Sequence, residues 1–546
     1  MKKRYTFLSE NWLRFGLVAA FAVSSLISNA QTAPAKVWDK TFGGNDVDRL
    51  ISLQQTSDGG YILGGYSESG ISGDKSQICK GTEDYWLLKL DNQGNKVWDK
   101  TIGGSYYDYL TSINQTSDGG YIMIGYSHSG NSADKSDNNR GLEDYWVVKI
   151  DSIGNKIWDK TFGGNKQDIP TSVVQTIDGG YLLGGHSNTD TNGDKTAVNK
   201  GSINTFDHWL IKIDSNGNKV WDKTIGGSST DYLYYMDKTS DGGFIIGGAS
   251  NSPISSDKTQ ANQGGLDYWI VKLNASGNKI WDRTYGGSND DLIKTIQQTS
   301  DRGYILGGIS QSGISGDKSQ SSYGDRDLWI IKIDSTGNKQ WDKTIGGSNR
   351  EILGSLIKTM DGSYLINSTS NSPISGDKTQ PSQGTDAWLI KIDSLGHKLW
   401  DQTIGGSGNE NASKLLQLAD GSFIWAGDSD SGIGIDKSQP SQGASDYWIV
   451  KLAAEVTGTK ELVSHKELLI SPNPSQGKFN LQLENISASK VEVSVSDLLG
   501  RVILQKELPV TNKQISEELE IKASKGMYLL QIKAGNQSTS RKIVVK

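Results

Sequence analysis

Short apolar runs separated by polar, glycine-containing turns follow one another along most of this chain. In the first such unit, runs at 50–56 and 61–66 flank an Asp-Gly-Gly turn, and runs at 85–90 and 96–101 flank an Asn-Gln-Gly-Asn turn. An Asp-Gly turn between apolar runs favours a tight hairpin, because glycine takes positive φ without strain. None of the runs has the period of an amphipathic helix. The pattern therefore predicts four antiparallel strands in each unit.

Two tryptophan motifs, Trp-Asp-(Lys/Arg/Gln)-Thr-x-Gly-Gly and Asp-x-Trp, recur about every 60 residues. The tryptophans of the first motif are Trp38, Trp98, Trp158, Trp221, Trp281, Trp341 and Trp400. Those of the second motif are Trp86, Trp146, Trp209, Trp269, Trp329, Trp388 and Trp448. Repeats of this kind bury their apolar faces against their neighbours, and seven four-stranded units match a β-propeller. We therefore predict an all-β, seven-bladed propeller over residues 31–452.

The two ends of the repeat region are complementary. The seventh unit stops at 446–452 and lacks the Trp-Asp strand that should follow, whereas the first unit is preceded by a surplus one at 36–42. Pairing of these segments would complete the seventh blade and leave no sheet edge unpaired. An open solenoid would instead need dissimilar polar caps. We expect the N-terminal strand to close the last blade of a ring.

The units also resemble Kelch-like propellers. The first unit has paired glycines after the second strand, Gly64-Gly65, then a long loop, the aromatic pair Tyr85-Trp86 and a later tryptophan, and the resemblance covers all seven units loosely. The long loop departs from the usual Kelch spacing, so the resemblance implies the architecture and not membership of that family. Propellers host many unrelated functions, and the fold alone does not define an activity.

Residues 1–30 have the pattern of a secretory signal peptide. Lys2, Lys3 and Arg4 precede an apolar stretch at 17–27, and Ser-Asn-Ala ends at Ala30. We expect export, and nothing later in the chain approaches the length of a membrane span. The formal net charge is -6 and the repeats carry the excess of acid, which argues against a nucleic-acid partner. Cys79 is the only cysteine, so packing must stabilise the fold without an intrachain disulfide.

After a connector at 453–467, a second domain is predicted at 468–546. Apolar alternation at 478–483, 491–495, 502–504, 527–532 and 542–545 predicts a small β-sandwich. Its motif residues are Pro472, Asn473, Pro474, Gly477, Asp497, Gly500, Arg501, Gly526, Tyr528 and Lys542. In this order they resemble the type A C-terminal sorting domain of type IX secretion cargo in Bacteroidetes-type bacteria. The resemblance implies the type IX machinery as a partner, and a protein that is secreted or attached to the outer-membrane surface. A further adhesive β-domain is the alternative.

The common catalytic motifs are missing from the sequence. There is no Gly-x-Ser-x-Gly, no His-Glu-x-x-His, no Gly-x-x-x-x-Gly-Lys-Ser/Thr and no Cys-x-x-Cys. The five histidines fall at unrelated positions of the repeat. We therefore assign no catalytic residue.

Acid recurs in every unit, ten residues after the first-motif tryptophan. The acids are Asp48, Asp108, Asp168, Asp231, Asp291, Glu351 and Glu410. First strands are innermost in a propeller, so we expect these carboxylates at the channel mouth, where they would bind a ligand. No cofactor is required, although calcium is a candidate because it prefers oxygen ligands and would compensate crowded carboxylates. The alternative is that these acids hydrogen-bond loop amides or tie the blades together.

Residues that break the repeat mark a unique site better than residues that obey it. The candidates are Tyr106, Tyr107, Tyr234, Tyr235, His186 and Trp425. Tyrosine and tryptophan suit contacts with sugars or proteins. The leading hypothesis is an exported, non-catalytic protein that binds a glycan or a protein. A secreted polysaccharide lyase or glycoside hydrolase and a structural surface-layer component are the alternatives.

Overall fold

The computed structural model describes residues 32–455, 460–461, 468–484, 486, 488–497, 501–534 and 537–546. The predicted signal peptide lies outside these residues. The described chain contains strands and turns without a helix, and it forms two compact units, one within Gln31–Val456 and one within Thr457–Lys546. The boundaries predicted from the sequence at 452 and 468 stay a prediction.

The first unit is built from seven four-stranded antiparallel sheets. Their first strands are Asp48–Gln55, Asp108–Gln115, Asp168–Gln175, Asp231–Lys238, Asp291–Gln298, Glu351–Lys358 and Glu410–Gln417. The second strands are Tyr61–Ser67, Tyr121–Ser127, Tyr181–Ser187, Phe244–Ser250, Tyr304–Ser310, Tyr364–Ser370 and Phe423–Ser429. The third strands are Asp84–Leu90, Asp144–Ile150, Asp207–Ile213, Asp267–Leu273, Asp327–Ile333, Asp386–Ile392 and Asp446–Leu452. The fourth strands of blades 1 to 6 are Lys96–Ile102, Lys156–Phe162, Lys219–Ile225, Lys279–Tyr285, Lys339–Ile345 and Lys398–Ile404.

The fourth strand of blade 7 comes from the other end of the repeat region. Lys36–Phe42 pairs antiparallel with Asp446–Leu452, so that Asp39 lies opposite Val450 and Phe42 opposite Tyr447. First strands of successive blades are neighbours all the way around, and that of blade 7 lies beside that of blade 1. The predicted seven-bladed ring and its closure are therefore confirmed.

Local chemistry explains the blade. Gly59 and Gly94 take φ values of 82° and 77° in the two hairpin turns of blade 1, which a residue with a Cβ adopts only under strain. The third strand Asp84–Leu90 is buried at every position, which accounts for its nearly continuous apolar run. Trp86 is fully buried, and its indole N–H donates to Asp99 Oδ2 at 3.3 Å. Each blade thus buries both faces of its middle strands.

Aromatic contacts join several neighbouring blades. The ring of Tyr85 lies 4.9 Å from that of Trp146 in the next blade, and its hydroxyl donates to the Trp146 carbonyl at 3.3 Å. The same contact joins Tyr447 of blade 7 to Trp86 of blade 1, with ring centroids 4.7 Å apart. Blade 7 therefore packs on blade 1 in the same way as blade 1 packs on blade 2.

Trp146→Ala should lower the free energy of unfolding of the propeller by about 3–5 kcal/mol, because the truncation leaves a cavity between two blades. Urea titration followed by tryptophan fluorescence measures this unit alone, since residues 453–546 contain no tryptophan. Tyr106→Ala, at a side chain that is 60% exposed, is the control and should change stability by less than about 0.5 kcal/mol. Equal effects of the two changes would contradict the packing described.

The second unit has two sheets around one apolar core. Its strands are Lys460–Glu461, Leu468–Ser471, Lys478–Leu483, Lys490–Ser496, Val502–Pro509, Ile515–Glu520, Gly526–Ala534 and Gln537–Val545. Five of them form one sheet and three form the other. The five strand segments predicted from the sequence are present, and Lys460–Glu461, Leu468–Ser471 and Ile515–Glu520 are additional. The predicted small β-sandwich is confirmed.

Candidate functional site

One face of the propeller carries both kinds of long connection. Asp48 at the start of the first strand lies opposite Ser67 at the end of the second, and Ser67 lies opposite Asp84 at the start of the third. The loops between second and third strands and the turns from one blade to the next therefore leave on the same side, which we call the loop face. The opposite side carries only the tight hairpins.

The seven predicted ligand-binding acids begin the innermost strands at this face, but each of them is fully buried. Their positions are Asp48, Asp108, Asp168, Asp231, Asp291, Glu351 and Glu410. Asp48 Oδ2 accepts hydrogen bonds from the Gly44 amide at 2.7 Å and from Ser69 Oγ at 3.0 Å. Equivalent bonds form in the other blades, for example from Gly347 and Ser372 to Glu351. These acids hold the turn between blades, and their role in ligand binding stays a prediction.

A second buried acid faces each of them across the blade junction. These residues begin the third strands: Asp84, Asp144, Asp207, Asp267, Asp327, Asp386 and Asp446. In Asp144, Oδ2 accepts the Arg140 amide at 2.5 Å, whereas Oδ1 is buried and receives no donor. Burial, and then the charge of Asp168 in the next blade, raises the pKa of Asp144 to about 7.

The junction of blades 5 and 6 brings an aspartate and a glutamate together. Burial, and then the charge of Glu351, raises the pKa of Asp327 to about 7. A proton on one of the two carboxyl groups removes the repulsion between them. Asp386 and Glu410 repeat the arrangement between blades 6 and 7. We call each of these seven acid pairs a carboxyl junction.

A buried lysine accompanies the acids of each blade. Lys75 is 1% exposed, and its Nζ donates to Thr101 Oγ1 at 2.5 Å and to the Gln77 carbonyl at 2.9 Å. Burial lowers the pKa of Lys75, while the nearby charges of Asp48 and Asp84 act in the opposite direction. We call the two acids and the lysine of all seven blades the charged belt. With two acids and one lysine in each blade, the charged belt needs about one further positive charge, or one proton, at every junction.

The charged belt is nearly the same in every blade, whereas three other positions at the loop face differ in side chain from blade to blade. The first two form a cross-strand pair at the loop-face end of the first and second strands: Arg49 and Tyr66, Tyr109 and Tyr126, Ile169 and His186, Tyr232 and Ala249, Leu292 and Ile309, Ile352 and Thr369, Asn411 and Asp428. The third precedes the third strand: Glu83, Glu143, Phe206, Leu266, Arg326, Thr385 and Ser445. Its carbonyl accepts the amide that begins the first strand of the next blade in all seven cases. We call these positions the variable rim, because the backbone repeats and the side chains do not.

Blades 1 and 2 bring four tyrosines together at the rim. The ring of Tyr109 lies 4.8 Å from Tyr66, 5.0 Å from Tyr126 and 6.2 Å from Tyr107, the last in a stacked geometry. Tyr107 is 41% exposed. The hydroxyl of Tyr109 donates to Glu83 Oε1 at 3.0 Å. We call Tyr66, Tyr107, Tyr109 and Tyr126 the tyrosine arc.

A second aromatic group lies on blades 3 and 4. His186 contacts Phe206 and Tyr232 edge to face, with ring centroids 5.3 Å and 5.1 Å apart, and Tyr232 stacks on Tyr234 at 6.0 Å. Burial lowers the pKa of His186 to about 4, so its ring is neutral at physiological pH. Its Nδ1 lies 3.2 Å from the Leu233 carbonyl, which makes Nδ1 the protonated nitrogen. On blades 5 and 6 the same rim positions are mostly aliphatic.

The repeat-breaking residues divide into two groups. Tyr107, His186 and Tyr234 lie at or beside the rim, and Tyr106 is exposed next to it. Trp425 is fully buried and donates from its indole N–H to Asn367 Oδ1 at 2.8 Å, and Tyr235 packs between blades. The sequence analysis missed Tyr66, Tyr109, Tyr126, Glu83 and Glu143. A column-by-column comparison of the seven units would have found them as variable positions.

Within the described ranges, no three His, Cys, Asp or Glu side chains are grouped so that they could hold a metal ion. A carboxyl junction supplies only two carboxyl groups, whereas calcium takes six to eight oxygen ligands. The residues present therefore do not form a complete calcium site.

The motif residues of the second unit hold its last strand and its turns. Asn473 donates from Nδ2 to the Lys542 carbonyl at 2.8 Å and accepts the Val544 amide at Oδ1 at 2.9 Å. Arg501 donates from its amide and from Nε to Asp497, at 2.9 Å and 3.1 Å. Gly477 takes a φ of 95°, and the Tyr528 hydroxyl donates to the Ser524 carbonyl at 2.6 Å. Pro472, Pro474 and Gly526 are described as well, and Gly500 lies outside the described residues.

Residues 469–546 match the family model of the secretion system C-terminal sorting domain. Together with the ring of seven blades, this match defines an exported propeller. The sorting domain at 469–546 supports type IX secretion cargo, which is exported and either secreted or attached to the cell surface. The described residues form no helix with the length and apolar character needed to cross a membrane.

The chain is similar to several other proteins, each at low sequence identity. The chain is 22% identical over 277 residues to the regulatory protein FlaEY of Caulobacter vibrioides, an alignment that covers 48% of this chain and 27% of that protein. The solved structure of BBS1N in complex with ARL6 is 8% identical with a TM-score of 0.40, covering 77% of this chain and 97% of the other. Puromycin hydrolase is 10% identical with a TM-score of 0.42, covering 84% and 62%.

Proposed function

We propose that this protein is a non-catalytic binding protein of the bacterial surface or exterior, and that it holds a glycan or a protein ligand at the variable rim. The observation that supports the proposal is the contrast between a repeated backbone and unrepeated side chains around one opening. Packing in a symmetric ring does not require four tyrosines on blades 1 and 2 where blades 5 and 6 carry leucine and isoleucine. Concentrated aromatic surface with polar tips is typical of sugar and protein recognition.

A second candidate, a polysaccharide lyase or glycoside hydrolase, has one observation in its favour. His128 Nε2 lies 3.3 Å from Glu143 Oε1, beside Tyr107 in the same asymmetric region. A base held by a carboxylate next to a tyrosine is a possible acid–base arrangement. Against it, Glu83 is engaged by the Tyr109 hydroxyl, and His186 is buried and neutral.

A glycan array probed with the mature full-length chain tests the proposal. We expect binding to a restricted set of glycans, weakened about tenfold or more by Tyr109→Ala, because this ring is at the centre of the arc. Tyr323→Ala, at a 55% exposed side chain on the long loop of blade 5 and outside the variable rim, is the matched control and should leave the affinity unchanged. A polysaccharide turnover screen runs in parallel. Release of reducing ends or of unsaturated sugars that is lost in His128→Ala would favour the enzyme, and the absence of any ligand among glycans and surface proteins would contradict the binding role.

A further inference from the structure

We propose that the tyrosine arc, with Glu83 and Glu143, binds the ammonium group of a glycan that carries free amines. The inference rests on the proposed function and specifies the ligand chemistry at the same rim. It depends on four tyrosine rings, on two carboxylates with one unused oxygen each, and on the local balance of charge.

The first observation is the unused capacity of the two glutamates. Glu83 Oε1 accepts the Tyr109 hydroxyl and Glu143 Oε1 faces His128, yet Oε2 of each carboxylate is buried without a hydrogen-bond partner. A buried carboxylate oxygen without a donor is costly, unless a ligand supplies that donor. Burial, then Tyr66, Glu143 and Glu83, raises the pKa of Tyr126 to about 12, so both carboxylates act on this one hydroxyl of the arc.

The second observation is the aromatic surface between them. Tyr107 and Tyr109 stack with an interplanar angle of 15°, and Tyr66 meets Tyr109 edge to face at 80°. A cation within about 6 Å of several tyrosine rings is attracted to their faces, and an ammonium group has three N–H donors for carboxylate oxygens. The stacked pair also offers the flat apolar area on which a sugar ring lies.

The third observation is a local excess of negative charge. Burial, then Glu83 and Asp46, raises the pKa of Glu68 at the edge of the arc, and Arg49 acts in the opposite direction. Arg49 lies opposite Tyr66 in the sheet, and its guanidinium is bound to Asp428 at 2.5 Å. His128 is already paired with Glu143. An arriving ammonium would supply the missing positive charge, whereas an anionic glycan would be repelled.

Two oligosaccharides of one backbone test the proposal by calorimetry: a chitosan hexamer, which carries amines, and a chitin hexamer, in which they are acetylated. With the mature full-length chain at a pH that protonates the amines, we expect the chitosan hexamer to bind about tenfold or more tightly, and to weaken as salt is added. Glu83→Gln with Glu143→Gln should abolish that preference. Asp190→Asn with Asp325→Asn, an equal change of charge on the exposed long loops of blades 3 and 5, is the control and should preserve it.

The outcomes separate the inference from the proposed function. Equal affinity for both hexamers, lost in Tyr109→Ala, would overturn the ammonium site and leave the binding role intact. No affinity for either hexamer would also overturn the ammonium site, and the glycan array then decides on the binding role. If a tri-lysine peptide binds tightly and the chitosan hexamer does not bind, the site recognises a protein, and the proposal of a glycan ligand is overturned. If the double glutamine variant does not fold, Tyr107→Ala, at an exposed side chain, must reduce the preference.

Discussion

Deletion of Lys36–Phe42 should remove the cooperative unfolding transition of the propeller. This strand is the outer edge of blade 7, and it pairs along its length with Asp446–Leu452. Without it, the Trp448 indole N–H and the Ser438 amide lose Asp39, to which they donate at 3.1 Å and 2.7 Å. The deletion also leaves an open sheet edge beside Tyr447 and Trp448, which favours aggregation. Because every blade is held by both neighbours, a breach at one junction weakens the whole ring.

Thermal and urea unfolding, followed by tryptophan fluorescence, measures this effect. Val37→Ala is the matched control on the same strand, at a side chain that is 56% exposed, and should leave the transition within about 0.5 kcal/mol of the parent. A deletion variant that melts at the parent temperature with the same steepness would show that the ring does not depend on its N-terminal strand.

The free energy of unfolding of the propeller should fall as the pH rises from 5 to 8. Burial raises the pKa of Asp144, Asp207 and Asp267 to about 7, with a smaller contribution from the acid of the next blade. In the unfolded chain an aspartate titrates near 4. The folded state therefore holds the proton more tightly, and the stability it contributes is complete below pH 4 and lost as the pH rises through 6 to 7. We expect a loss of about 1 kcal/mol or more for each such junction.

Hairpin acids and buried lysines titrate outside this window. The pKa values of Asp58, Asp118 and Asp178 are lowered to about 2: burial opposes the lowering, and hydrogen bonds from lysine and hydroxyl groups cause it. Their stabilisation is present above pH 4 and is lost only below it. Burial lowers the pKa of Lys135 and Lys195 to about 8, so these lysines add stability above that pH.

Two buried histidines act inside the window and oppose the carboxyl junctions. Burial lowers the pKa of His186 to about 4 and that of His208 to about 3, so each adds stability as the pH rises towards about 6.5, the value in the unfolded chain. Five junction acids have a pKa of about 7, which outnumbers the two histidines. The net free energy of unfolding should therefore still fall between pH 5 and pH 7.5.

Urea titrations at constant ionic strength across this interval provide the measurement. Asp144→Asn removes one titrating group while keeping a similar shape. In this variant the free energy of unfolding should fall less between pH 5 and 7.5, by the contribution of one junction. Asp190→Asn, at an exposed acid, should leave the slope unchanged. A stability that stays constant or rises between pH 5 and 7.5 would contradict protonated junctions.

Much of the fold could be predicted because the signals are local and repeated. The Asp-Gly turn after Thr56 specifies a hairpin by backbone conformation alone, and the apolar run at 85–90 specifies a strand buried on both faces. Closure was predictable because the surplus strand at 36–42 and the missing strand after Leu452 are complementary. The motif of Asn473 and its companions identified the sorting unit in the same way.

The candidate site was predicted less well. Asp48 and its equivalents were expected at an open channel mouth, and each is fully buried beneath the turn it holds. The sequence shows that an acid recurs, but its exposure depends on the glycine amides and serine hydroxyls that the next segment folds over it. Glu83 and Tyr109 belong to different blades, and their hydrogen bond follows from the position of one sheet against the next.

By itself, the sequence determined the strand order, the number of blades, the closing strand and the sorting unit, since each depends on patterns that are read along one stretch of chain. Only the tertiary structure decided which carboxyl groups are buried as pairs, and which tyrosines form one surface. Those features arise where two blades meet. Their energies depend on distance and burial between side chains far apart in sequence, which local patterns do not contain.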